Sequence, residues 1–161
     1  MACLSEQDGY PVVLREFQQV ISLIQGNQRM TQNELNRPFS ILSVDWQGNF
    51  STFDPELRSV ASDRYSSFNL GKLKDLTLVE STHTDQFRRL MADMRSGVDT
   101  CHKSCEYFGL CGGGDGSNKF WEHVTLASSE TNACRCGIQI PDQVLLERFE
   151  AGPPLTPQPT H

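Results

Sequence analysis

No stretch of the sequence approaches the ~20 consecutive apolar residues that a membrane helix needs, so a bilayer span is not expected. Positive charge is also in deficit. Fourteen Lys and Arg face 20 Asp and Glu, a net charge of −6 that repels phosphate backbones and anionic lipid. Nucleic-acid and membrane binding are therefore set aside. The N-terminus, MACLSEQD, lacks both the basic start and the apolar stretch of a secretory signal, so a cytoplasmic protein is expected. In that reducing compartment, six cysteines are more often metal ligands or catalytic thiols than a disulfide framework. Proline is scarce except in the tail, residues 151–161, which reads as extended or disordered.

What the sequence does contain is amphipathic pattern. At 161 residues the chain is long enough for one domain with its own core. Val13, Phe17, Val20, Ile21 and Ile24 recur at helical spacing from Tyr10 to Gln25, ahead of a polar stretch; residues 1–37 are read as an N-terminal helix and linker. FSILSVDWQGNFSTF, residues 39–53, alternates Ile41, Ser43, Asp45 and Phe50, Thr52 about a turn at Asp45–Asn49, which predicts a hairpin. A weak helical patch follows Asp54-Pro55. A helix is predicted from about Thr84 to Ser96, with Phe87, Leu90, Met91 and Met94 on one stripe and Gly97 as its stop. Pro141 opens a last short helix that places Val144, Leu145 and Phe149 on one face. The fold class expected is α+β, a small domain over residues 38–150 with a hairpin, flanking helices and a cysteine-rich loop.

Five of the six cysteines fall within Cys101–Cys136, where helical periodicity disappears. The pattern Cys101-x3-Cys105-x5-Cys111-x22-Cys134 supplies three close thiols and a fourth that returns from a distance, the arrangement of tetrahedral metal centres. Gly112, Gly113 and Gly114 directly after the third thiol let the main chain fold tightly and aim N–H groups at sulfur. An iron–sulfur cluster, a zinc ion and a plain flexible loop all remain open on these residues. A lone thiolate with a histidine base is the enzymatic alternative, and His102 and His123 are the histidines at hand. His102 is expected to face solvent and His123 to lie on a strand. Lys119 and Glu122 are expected to pair locally or to meet a peptide.

The stretch CHKSCEYFGLCGGGDGSNKFWE over residues 101–122, followed by Ser129-Glu130-Thr131 and Cys134, resembles the SPASM region of radical S-adenosylmethionine enzymes that modify ribosomal peptides. It is most similar to their cyclophane-forming peptide maturases. Ser43-Val44-Asp45 to Gly48 resembles the family's entry hairpin, and Phe68 to Leu73 its next signature; the likeness covers residues 39 to 136 in order. It implies one auxiliary [4Fe-4S] cluster on Cys101, Cys105, Cys111 and Cys134, with Cys136 the alternative fourth ligand and Zn2+ the alternative metal. Positions for a second cluster hold no cysteine: none lies between Gln32 and Pro38, and the other two are Phe53 and Asp115. The catalytic C-x3-C-x2-C motif is missing as well, since Tyr107 and Phe108 follow Cys105. The resemblance thus implies an accessory module, free-standing or part of a longer enzyme. Its partners would be a radical S-adenosylmethionine enzyme and a precursor peptide. Trp46 would then contact the peptide; the alternative is a turn aromatic that covers the core.

Overall fold

The computed structural model describes residues 2–4, 11–13 and 15–152, with side chains from Phe17 onward. The chain is α+β and divides into two compact units, Met30–Cys134 and a second formed by Met1–Arg29 with Arg135–His161. The expected extended tail beyond Gly152 lies outside the described residues.

In the larger unit the expected hairpin is present. Strands β3 (Leu42–Val44) and β4 (Asn49–Thr52) pair antiparallel, Leu42 opposite Thr52 and Val44 opposite Phe50. Asp45 closes the turn, its carboxylate accepting from the N–H groups of Gln47 (2.9 Å) and Asn49 (2.8 Å), while Gly48 takes the left-handed φ of +79°. A further strand, β5 (Gly71–Lys72), pairs with β4 and makes the order β3-β4-β5. The weak helical patch after Pro55 resolves into two 3-10 turns, Pro55–Leu57 and Ser66–Phe68. Left-handed φ values at Ser66, Ser67 and Phe68 turn the chain inward, and the Gln86 side chain holds this turn by donating to the carbonyls of Tyr65 (3.1 Å) and Asn69 (2.6 Å).

The short helix α2 (Leu78–Ser81) has a complete capping box of Thr77 and Glu80. Helix α3 (Asp85–Ser104) starts at the Thr84 cap but does not stop at Gly97. Its buried stripe is Phe87, Leu90, Met94, Gly97 and Cys101, an unbroken alternation of threes and fours. Glycine is there for room: a Cβ on Gly97 would stand 2.8 Å from the Ser128 carbonyl and nearer still to that of Leu126. Phe87, Leu90 and Met94 bury against Phe50, Phe53 and Tyr65, so one apolar core joins helix and sheet. The Tyr65 hydroxyl donates to Asp93 on α3 (2.8 Å) and accepts from the Leu126 N–H (3.1 Å), tying the 126–128 segment to that core.

In the second unit, β1 (Ala2–Leu4) and β2 (Pro11–Val13) pair antiparallel, and α1 (Arg15–Gln25) packs on α7 (Ile140–Ala151). The helix expected from Tyr10 therefore begins only at Arg15. Pro11 lacks an N–H and the adjacent valines favour extended chain, so the first residues of that pattern join a ladder instead. Pro141 lies in the first turn of α7 as expected, but Val144 is exposed and Leu145 alone is fully buried from the anticipated face. Among the described residues no helix is long and apolar enough to cross a membrane.

Candidate functional site

Of the readings left open for the cysteine region, the plain flexible loop does not hold, because short helices and a glycine turn build it. Cys101 sits in the last turn of α3, and the N–H of Cys105, the helix C-cap, donates to its carbonyl (2.9 Å). One helical turn, α4 (Phe108–Cys111), carries Cys111, after which Gly112, Gly113 and Gly114 all take left-handed φ values of 67°, 105° and 66°. Helix α5 (Gly116–His123) leaves that turn, and α6 (Asn132–Cys134) ends in Cys134. These helices are too short to show a 3.6-residue period, which explains their invisibility in sequence.

The glycine turn is strapped from outside by residues 30–36. The N–H groups of Met30 and Asn33 donate to the carbonyls of Gly109 (2.8 Å) and Gly112 (3.0 Å), and the Asn36 amide donates to Gly114 (2.6 Å). Those contacts bring into the larger unit a segment read from sequence as linker. They also require glycine at 112, where a Cβ would stand 2.5 Å from the Asn33 nitrogen. The Cys101 thiol donates to the Gly113 carbonyl (3.6 Å).

Cys134 is placed by Glu122 and Thr131. Glu122 accepts from the N–H groups of Asn132 (2.6 Å) and Ala133 (3.0 Å), which holds its carboxyl below the ordinary range, and the Cys134 N–H donates to the Thr131 hydroxyl (3.0 Å). Glu122 thus caps the turn that carries a cysteine and makes no pair with Lys119. Lys119 is buried among the side chains and carbonyls around Gly97 and Gly114, with no hydrogen-bond partner on its Nζ among the described residues. His123 closes α5 and is not on a strand; its Nε2 meets the Glu130 carbonyl at 2.9 Å. His102 is exposed, its ring set edge-on to Phe108 with centroids 4.7 Å apart.

Two of the four thiols, Cys111 and Cys134, feel the sulfurs of the others. Burial raises Cys111, opposed by the N–H groups of Gly113 and Gly114 and reinforced by the sulfurs of Cys105 and Cys101. Cys134 is pushed up to about 11 by burial and then by Cys111, Cys105 and Cys101 together. Cys136 is exposed and absent from both sets of interactions. Even so, among the described residues no three His, Cys, Asp or Glu side chains are placed to hold a metal ion.

At the positions where the resemblance places a second set of ligands, the Asn33 amide donates to Asp115 (2.8 Å) and Phe53 is buried in the core; next to them the Ser117 hydroxyl donates to the Asp54 carboxylate. Burial, then the neighbouring Asp54, raises the Asp115 carboxyl. On the hairpin, Trp46 is 91% exposed, so it does not cover the core. Leu42 and Val44 lie on the outer strand and are also exposed.

No protein-family model matches the chain, and no solved structure matches it. Over 137 residues it is 44% identical to "Uncharacterized protein sll1766" of Synechocystis sp., a match that takes in 85% of this chain and 34% of that protein. The chain thus spans about a third of the length of the relative it matches.

Proposed function

We propose that residues 30–134 form an auxiliary [4Fe-4S]-binding module of SPASM type, which acts with a radical S-adenosylmethionine enzyme in the modification of a ribosomally made peptide. The observation that carries the reading is that short helices and the glycine turn bring Cys111 and Cys134 close enough to Cys101 and Cys105 for the neighbouring sulfurs, after burial, to raise both thiols. Cys101, Cys105, Cys111 and Cys134 would hold the cluster, which when bound supplies one-electron transfer. The chain's own part is to fix the four sulfurs, through α3, α4 and the Glu122 cap, and to present the hairpin edge to a peptide or partner. The length of the Synechocystis relative outside the match leaves room for a catalytic domain in the same polypeptide.

Anaerobic purification with iron and sulfide analysis tests the assignment. About four of each per chain are expected, by the composition of a four-iron cubane. Cys134→Ser should lower that content while Cys136→Ser leaves it unchanged. One zinc and no labile sulfide would replace the cluster with a non-redox zinc module, and metal-free protein would overturn both.

A further inference from the structure

Beside the hairpin turn lies a cavity of about 120 Å³, lined by Asp45, Ser51, Arg58, Ser59, Ser67 and Asn69 among others. Pockets that enclose a whole small ligand start at roughly 300 Å³, so this one fits a single functional group. Asp45 is its acidic member, and the turn already uses that carboxylate: Oδ1 accepts from the N–H groups of Gln47 and Asn49, and Oδ2 accepts from the Asn49 amide at 2.7 Å. Arg58 follows the 3-10 turn Pro55–Leu57, where its backbone N–H donates to the Pro55 carbonyl (3.1 Å) and buried Leu57 anchors the chain. Its guanidinium stands 3.4 Å from Asp45, an ion pair without a hydrogen bond, and its N–H groups have no acceptor among the described residues. Ser51 is 3% exposed, and its hydroxyl, like those of Ser59 and Ser67, has no partner among the described residues. The Asn69 Oδ1 accepts from the Gly71 N–H (3.0 Å), which leaves its NH2 to donate. The cavity thus gathers a guanidinium, three hydroxyls and an amide, all able to donate and all unfilled.

We propose that this cavity is a binding site for one carboxylate group, taken by the Arg58 guanidinium and completed by the hydroxyls of Ser51, Ser59 and Ser67 and the Asn69 amide. A planar guanidinium with free N–H groups matches the two oxygens of a carboxylate in a forked pair. A doubly charged phosphate suits the cavity less, because Asp45 already balances its one positive charge. The carboxylate can belong to a free small acid or to the end of a peptide. The site goes beyond the iron–sulfur reading and needs no cluster.

In a titration of the full chain followed by amide resonances, N-acetylglycine should move the signals of Ser51, Arg58 and Asn69 with a millimolar Kd. Its neutral counterpart N-acetylglycinamide should bind about tenfold more weakly, since it offers the guanidinium no charge. Arg58→Gln should weaken N-acetylglycine by about the same factor, and Arg58→Lys, which keeps the charge but not the fork, should not restore it. Ser67 has a left-handed φ of 58°, which glycine adopts without strain, so Ser67→Gly should cost about fivefold in affinity, the size of one lost hydrogen bond, with no fall in Tm. Acetate that binds as tightly as N-acetylglycine assigns the site to a free acid, and tighter N-acetylglycine assigns it to a peptide end. Equal binding of acid and amide, no shifts around the cavity, or an unchanged Kd in both Arg58→Gln and Ser67→Gly would overturn the proposal. A chain that binds N-acetylglycine but takes no iron keeps this site and loses the iron–sulfur reading, and an iron-loaded chain that does not bind it does the reverse.

Discussion

Asp142 lies in the first turn of α7, 4% exposed, with no partner for its Oδ2 among the described residues. Burial pushes its carboxyl from 3.8 up to about 6. The folded chain therefore holds this proton more tightly than the unfolded chain. The stability contributed by the neutral acid is fully present below pH 3.8 and is lost as pH rises through about 6. Asn at this position keeps the shape and cannot ionise, so Asp142→Asn should raise stability at pH 7 by about 1–3 kcal/mol and flatten its pH dependence across that window. Urea unfolding of both forms at pH 4 and pH 7 checks this, and parallel pH dependence in the two would refute it. The position was partly legible: Asp142, Leu145 and Phe149 are spaced three and four apart, a helical stripe with a carboxylate where an apolar residue is expected. Val144 is apolar but off that spacing and is exposed, so spacing and not hydrophobicity marks the buried face here. The Glu122 cap of Cys134 carries a weaker signal, since a residue ten positions away in sequence supplies the cap and no local capping pattern announces it.

Gly97 shows the same ambiguity for a whole element. A glycine after an apolar stripe commonly ends a helix, yet here the stripe resumes at Cys101 with unbroken spacing, and the glycine admits the crossing chain at Leu126 and Ser128. Sequence distinguishes the two cases only if the stripe is followed past the glycine with cysteine counted as apolar. Gly97→Ala should gain about 1 kcal/mol of helix propensity, but its Cβ would press on two backbone carbonyls that cannot rotate away. Overpacking of this kind costs about 1–3 kcal/mol, so the net effect expected is destabilisation, with a lower Tm and a displaced 126–131 segment. A Tm equal to or above the parent's would show that the approach is looser than described. The hairpin was readable because alternation, a turn residue with a local acceptor and a glycine all coincide within fifteen residues. β5 was not readable, because two residues carry no alternation and the strand exists only by pairing with β4. The strap over the glycine turn has no sequence period either, since its bonds are mostly backbone to backbone across about eighty residues.

At the scale of the larger unit, the sheet leaves β3 on its open side. The register puts Leu42 and Val44 on the same face as Phe50, which is buried in the core, so an apolar surface continues from the core to the edge and ends at Trp46. An outer strand with such a face is the kind of edge that proteins ordinarily cover or pair. An extended peptide added to β3 would find main-chain partners along the strand and a wall of apolar side chains on one face, with the indole at its end. The acidic balance of the chain argues against a polyanionic partner and suits a neutral or basic segment. Cluster-loaded chain is expected to bind a radical S-adenosylmethionine partner, or its precursor peptide, in the micromolar range or tighter. Trp46→Ala should weaken that binding about tenfold or more, as removal of a large interface aromatic does, with iron content and Tm unchanged because an indole 91% exposed supports no packing. Calorimetric titration of both forms against the precursor peptide and the partner enzyme decides it. Equal affinities would move recognition off the hairpin, and loss of iron along with binding would mean that Trp46 acts through the fold.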